Sequence, residues 1–337
     1  MQLKINKYLA FLFLSLSLFS CKRSPDDCNN GPQLKEDYTT LKSVDLSKEL
    51  IKLSTQEQAL AFIKREPFVS NYFFNVTRQI SDTAMAELMI DIFNHPAYSD
   101  TLYKEVLSTF PKLTDITDQF SVAFANYQFY YPEIKTPAIK YALSGLQSDL
   151  FVSDSLISIA LDYYLGPKAR FVPLGLPKYM LKRYQKEYIV PMIMLLTSQE
   201  KNQTDPSNKT LLADMVYYGK SYYLAKQILP CTTDSLFIGY SAKEMIDIQQ
   251  NEHIIWANFL ENDLLYESSH FIKNKFIGER PNTFEISNNC PGRIGVWVGW
   301  QIVNSYMANN PEISVQNLMS TTDVNEIFSK SKYKPKP

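Results

Sequence analysis

The segment from Pro291 to Trp300 places the strongest constraint on how this chain can fold. It reads Pro-Gly-Arg-Ile-Gly-Val-Trp-Val-Gly-Trp, so Gly295 and Gly299 lie four residues apart on one face of a predicted helix. Glycine costs about 1 kcal/mol relative to alanine inside a helix. Since this cost must be offset, we expect the helix backbone to approach another element closely at both glycines.

The two tryptophans of this segment are expected to be buried against the same neighbouring element. Trp297 and Trp300 are three residues apart, and aromatic rings of this size dominate the cores that they enter. Core packing is the favoured interpretation, and a ligand groove lined by the two rings is the alternative. Together with Arg293, Gly295 and Gly299, they are the candidate residues for packing or for contact with a partner.

The start of the chain has the pattern of a bacterial export signal over residues 1–20. Lys4 and Lys7 precede an apolar run over residues 8–18, and Cys21 follows. A bilayer-spanning helix needs about 20 apolar residues, so this run is too short to span. The pattern resembles the lipobox of bacterial lipoproteins, which implies that Cys21 is acylated and anchors the mature protein to a membrane. An ordinary signal peptide with a chance cysteine nearby is the alternative.

The composition favours a helical globular domain after a polar linker. Residues 21–48 are polar, contain two prolines and show no sustained apolar period, which predicts a flexible tether. Residues 49–337 are then predicted to form a single domain in the cell envelope. Apolar residues make up 45% of the chain and glycine is scarce, which favours helices over a turn-rich sandwich. Removing Lys4 and Lys7 with the signal shifts the formal net charge from −1 to −3, so nucleic acid is not an expected partner.

The local patterns predict a mostly α fold with a small sheet, an α+β class. Ser54 with Glu57, and Ser241 with Glu244, have capping-box spacing. The β-rich runs 138–143 and 156–161 predict two strands that pair as neighbours or as a hairpin. Further helices are predicted over the ranges 83–94, 96–110, 115–130, 177–197 and 205–229, with Pro191 bending or ending the fourth of them.

Three cysteines remain beside Cys21, so at most one disulfide can form within the mature chain. Cys231 and Cys290 are the favoured pair, because Cys28 falls in the predicted tether. Three buried or unpaired thiols are an equally open alternative.

The sequence has no pattern that predicts catalysis, a metal or a cofactor. No two of its histidines, His95, His253 and His270, are three or four residues apart, so no helix can present a paired-imidazole zinc site. No nucleophile elbow and no glycine-rich phosphate loop is present. Asp162, at the end of a predicted strand, is the best-placed acid, although a turn or capping role is favoured for it.

A family resemblance emerges from several blocks, chiefly after residue 150. These blocks span residues 154–166, 177–180, 211–224, 238–240, 251–256 and 291–303. They resemble the GldB family, gliding-motility lipoproteins of Bacteroidetes. The resemblance implies a cell-envelope lipoprotein required for gliding, linked to the type IX secretion machinery and held to a membrane by its N-terminal lipid. Its partners would be other envelope proteins of that machinery, and it would face the periplasm or the cell surface.

A more distant similarity to zincin-type peptidases implies a degenerate zincin-like fold. In that alignment, residues 183–188 replace the histidine-bearing helix, and Tyr218-Gly219-Lys220 replaces the Glu-Gly of the second helix. The metal ligands would then be absent and the protein would be a pseudoenzyme. Two alternatives remain open: an envelope hydrolase using acids such as Glu187 and Asp162, and a peptide- or glycan-binding lipoprotein using aromatic residues.

Overall fold

The computed structural model describes residues 40–75 and 79–336, and these are mostly helical with one small sheet. The predicted α+β class is therefore confirmed. One hydrophobic core extends from Leu41 to Ile327 and contacts helices from both halves of the chain. Cys21 and Cys28, like the predicted signal and most of the predicted tether, lie outside the described residues.

The described residues form a mixed sheet of four strands. Its strands are β1 (Ser43–Asp45), β2 (Ala138–Ala142), β3 (Leu150–Val152) and β4 (Leu156–Ala160). Their order is β1-β2-β4-β3. The two predicted strands, β2 and β4, pair as neighbours with Ile139 opposite Ile157, but they are parallel, so the hairpin alternative is wrong. β3 is antiparallel to β4 and was not expected from the sequence.

Ordered structure begins before the predicted end of the tether at residue 48. Ser43–Asp45 pairs in parallel with β2, with Ser43 opposite Ile139. Ser43 and Val44 are exposed, so the sequence of this strand has no apolar pattern that would have predicted it. It is an edge strand with little burial, and its stability comes from the backbone pairing with β2.

The α-helices of the described residues lie in both halves of the chain. In the first half they are α1 (Ser47–Leu50), α2 (Gln56–Arg65), α3 (Pro67–Phe74), α4 (Asp82–Asn94), α5 (Tyr103–Thr109) and α6 (Thr114–Tyr130). In the second half they are α7 (Lys178–Leu181), α8 (Ile189–Gln199), α9 (Leu211–Ile228), α10 (Asp234–Ile238), α11 (Ala242–Gln250), α12 (Glu252–Glu261), α13 (His270–Ile277), α14 (Ile294–Asn309), α15 (Val315–Ser320) and α16 (Val324–Ser331).

Local capping chemistry explains several helix starts. Ser241 and Glu244 form the predicted capping box at the start of α11. The box before α2 is shifted by one residue from the prediction, because Thr55 caps the helix and pairs with Gln58. α9 begins at Leu211, later than predicted, since Thr210 accepts the hydrogen bond from the Ala213 amide.

The predicted helix over residues 177–197 is broken in the structure. α7 ends at Leu181, a single 3₁₀ turn covers Lys186–Tyr188, and α8 then runs from Ile189 to Gln199. Pro191 neither bends nor ends α8, so that prediction is wrong. It lies in the first turn of α8, where a backbone N–H would have no acceptor within the helix.

The crossing of α9 and α14 confirms the close approach predicted from the glycines. A side chain at Gly299 would overlap the backbone carbonyl of Met215, and one at Gly219 would overlap the carbonyl of Gly299. Gly295 lies 3.1 Å, measured from an added Cβ, from the carbonyl oxygen of Phe276 on α13. The two helices therefore contact backbone to backbone, and the gain in packing offsets the intrinsic cost of glycine.

We expect Gly299→Ala to destabilise the protein by about 2 kcal/mol or more, since α9 and α14 would have to separate. Gly295→Ala is the matched control and should cost less, because its added methyl would lie 3.1 Å from the nearest atom, the Phe276 carbonyl oxygen, whereas that of Gly299→Ala would overlap the Met215 carbonyl oxygen. Urea unfolding of the full-length protein in detergent measures both. If the two variants unfolded at the same urea concentration, the crossing would not impose this constraint.

Candidate functional site

The two tryptophans of α14 are core residues. Trp297 and Trp300 are 2% and 1% exposed. The Trp300 ring lies 5.1 Å, centroid to centroid, from the ring of Tyr222 on α9. The packing interpretation is therefore supported over a groove lined by these rings. Gly295 and Gly299 also lie in helix contacts, which leaves Arg293 as the candidate of this set whose side chain reaches polar groups.

Arg293 precedes α14 with a left-handed backbone (φ 61°), a conformation that is uncommon for a residue with a side chain. Its guanidinium donates hydrogen bonds to the backbone carbonyl of Ile238 and, at 3.5 Å, to the hydroxyl of Tyr222. Its Nε lies 3.4 Å from a carboxylate oxygen of Glu279. These contacts fix the side chain at the junction of three segments that are distant in sequence.

Glu279 is shared between two arginines. Arg183 donates from both terminal nitrogens to the two Glu279 oxygens, at 2.8 and 2.7 Å, in a bidentate pair. Burial alone would raise the pKa of Glu279. The hydrogen bond from Arg183 and the charges of Arg293 and Arg183 outweigh burial and hold that pKa below its usual value. Glu279 therefore stays ionised between the two guanidinium groups.

Two glycines and a tyrosine shape the walls of this site. Gly239 has a left-handed backbone (φ 79°), and a side chain there would overlap the Arg183 stem. A side chain at Gly292 would overlap the backbone carbonyl of Arg280. The Tyr240 hydroxyl donates to the carbonyl of Gly292 at 2.7 Å and fixes the turn before Arg293.

A cavity of about 160 Å³ opens between these groups. We call it the arginine pocket; it is lined by Arg183, Gly239, Tyr240, Glu279, Gly292 and Arg293, and also by the charged residues Lys182, Glu244 and Arg280. The sequence interpretation identified Arg293 and missed Arg183 and Glu279, which are 96 residues apart in sequence. Arg183 lies in the segment that the zincin alignment assigned to a helix, but here residues 183–185 are not helical.

The predicted Cys231–Cys290 disulfide is wrong. Cys290 is a free, buried thiol, whereas Cys231 is in a disulfide. Cys290 lies beside Pro291, where burial raises the pKa of its thiol to about 12. A thiol in such surroundings is largely protonated and unreactive at neutral pH.

Thiol labelling tests these two states. In the folded full-length protein, iodoacetamide should leave Cys290 unmodified because the thiol is protonated and buried. After denaturation without reductant, Cys290 should be alkylated while Cys231 should not be. Peptide mass mapping reads both sites, and a second sample reduced before alkylation is the control. Alkylation of Cys231 without reductant would contradict the disulfide.

The acids proposed for hydrolysis lie in different surroundings. Asp162 is 1% exposed and accepts hydrogen bonds from the Tyr98 hydroxyl at 2.7 Å and from the amides of Ser144 and Leu146. It holds the loop after β2, which agrees with the favoured turn role. Glu187 is an exposed residue of the 3₁₀ turn. Within residues 40–75 and 79–336, no three His, Cys, Asp or Glu side chains are grouped so as to hold a metal ion.

Lys220 is a second unusual ionisable residue, on α9 beside the helix crossing. Its side chain is almost fully buried, and its ammonium donates to the backbone carbonyls of Gln203 and Thr321, both at 2.8 Å. No carboxylate of the described residues forms an ion pair with it. Burial lowers the pKa of Lys220 to about 8. Its contacts join the segment after α8 to the end of α15, which is a structural role.

The low pKa of Lys220 predicts a pH-dependent stability. Between pH 8 and 10.5 the unfolded chain holds the Lys220 proton more firmly than the folded protein, so the contribution of Lys220 to the free energy of unfolding should rise with pH. The slope has an upper limit of about 1.4 kcal/mol per pH unit. Urea unfolding from pH 7.5 to 9.5 should show a more positive slope for the wild type than for Lys220→Met, since the titration of the tyrosines is common to both proteins and cancels in the difference. Equal slopes in both proteins would contradict the shifted pKa.

The fold and the site define a mostly helical α+β protein with a tightly packed helix crossing and a charged pocket at the start of α14. A family model described as gliding motility protein GldB matches residues 27–335. The chain therefore belongs to this family of gliding-motility lipoproteins, and the resemblance found in the sequence is confirmed. Searches of curated proteins and of solved structures gave no match. Among the described residues, no helix is both long and apolar enough to cross a membrane.

Proposed function

We propose that this protein is a non-enzymatic, lipid-anchored component of the gliding apparatus and its type IX secretion machinery, acting through contacts with other envelope proteins. The observation that carries the proposal is the family match over residues 27–335. The signal pattern ending at Cys21 supports attachment to a membrane, facing the periplasm or the cell surface. The lipid holds the domain where its partners are located.

Several features support contact rather than catalysis. Asp162, the best-placed acid of the hydrolase alternative, is buried and held by three donors, so a substrate would have to displace them. The segment 183–188, where a zincin would carry its histidines, has none and is not a regular helix. We therefore propose a pseudoenzyme. The buried tryptophans weigh against a glycan-binding surface built from them.

Complementation of a deletion strain tests the proposal. Cys21→Ser should abolish gliding and release a folded protein from the membrane fraction, since the acylated thiol is the proposed anchor. Cys290→Ser, which removes a buried thiol elsewhere, is the matched control and should glide. Glu187→Gln should also restore full motility. Gliding by a strain whose Cys21→Ser protein is entirely soluble would overturn the anchoring, and loss of gliding with a stable Glu187→Gln protein would favour carboxylate chemistry.

A further inference from the structure

The two arginines of the arginine pocket have more positive charge than their partner can balance. Among the described residues, Glu279 is the one carboxylate that forms an ion pair with Arg183, and it is also the one that pairs with Arg293. Two cations and one anion leave one uncompensated positive charge. Both guanidinium groups are mostly buried, with 17% of each side chain exposed, so water screens this charge poorly.

The neighbouring ions do not remove this excess. Lys182 is paired with Glu244 at 2.9 Å, which is a neutral pair. Arg280 lies 2.8 Å from Glu285, and Lys275 approaches the same carboxylate at 3.7 Å, so these three side chains add one further positive charge. Each nearby acid is therefore already engaged by at least one cation. The start of α14 adds the positive end of a 16-residue helix to this side of the cavity.

Unused hydrogen-bond donors accompany the unbalanced charge. A guanidinium has five N–H donors, and Arg183 uses two of them on Glu279. The remaining three have no acceptor among the described residues, and Arg183 lines the cavity. The cavity of about 160 Å³ is large enough for a small planar group and too small for a bulky one.

We propose that the arginine pocket binds a single carboxylate group of a partner protein, held chiefly by Arg183 against the Glu279–Arg293 pair. This inference rests on the proposed function, since it gives the chemistry of a contact with a partner. A carboxylate matches the planar fork of the Arg183 guanidinium, and its negative charge would offset positive charge that Glu279, shared between Arg183 and Arg293, leaves unbalanced.

Isothermal titration calorimetry with the full-length protein in detergent tests the pocket. The probes are acetyl-Ala-Ala with a free C-terminus, acetyl-Ala-Asp-Ala-amide, and the neutral acetyl-Ala-Asn-Ala-amide. We expect at least one acidic peptide to bind and the neutral one not to bind. Preference for the first acidic peptide assigns a chain terminus, and preference for the second assigns an acidic side chain. Equal binding of neutral and acidic peptides, or tighter binding of inorganic phosphate than of both acidic peptides, overturns the proposal.

Two pocket variants are expected to change peptide affinity in opposite directions, and a loss of folding could not produce the increase. Arg183→Gln should weaken binding of the acidic peptide at least tenfold. Glu279→Gln should tighten it several-fold, because it removes the competing negative charge and its amide oxygen still accepts from Arg183. Lys243→Gln, at an exposed pair with Asp247, is the charge-matched control and should bind as the wild type does. Affinity that is unchanged in both pocket variants overturns the assignment.

A failure of the pocket to bind a carboxylate can be distinguished from a failure of the proposed function. Peptide binding is measured on the purified protein and does not depend on gliding, whereas the Cys21→Ser strain tests gliding without reference to the pocket. A folded Arg183→Gln protein that has lost peptide binding should also fail to restore gliding. Full gliding with that variant would overturn the use of the pocket for a partner, and would leave the anchored role of the protein intact.

Discussion

The backbone contact between α9 and α14 is the constraint on which the second half of the molecule depends. Because Gly219 and Gly299 have no side chains, the carbonyls of Gly299 and Met215 can lie where Cβ atoms would otherwise be. Trp300 then packs on Tyr222 across the same crossing. The start of α14 is thereby fixed relative to α9, and Arg293 is fixed with it. A small change in the crossing would shift Arg293 relative to the groups that it contacts.

The arginine pocket and the helix crossing are structurally connected. Tyr222 packs on Trp300 and also accepts a hydrogen bond from Arg293, so one side chain belongs to both. Burial of an arginine is costly unless its charge and its donors are satisfied. Here Glu279 forms an ion pair with Arg293, and the carbonyl of Ile238 accepts a hydrogen bond from it. The positive charge that is left without a partner is that of Arg183, whose guanidinium lines the cavity.

The sequence predicted features whose cause is local. The glycine spacing required a close helix contact, and the spacing of Ser241 and Glu244 gave the start of α11. The sequence-based prediction was wrong where two adjacent residues could both cap a helix, as at α2, where Thr55 rather than Ser54 is the cap. It also failed for pairs formed only by the tertiary fold. Nothing in sequence joins Arg183 to Glu279, and the spacing of the cysteines gave no means of recognising that Cys290 is a free thiol.

The early start of the sheet at Ser43 limits how far the domain can stand from a membrane. With Cys21 as the acylated residue, 22 peptide steps connect the lipid to β1. A fully extended chain of that length spans at most about 75 Å. The start of β1 therefore cannot lie farther than this from the membrane surface to which the lipid is attached.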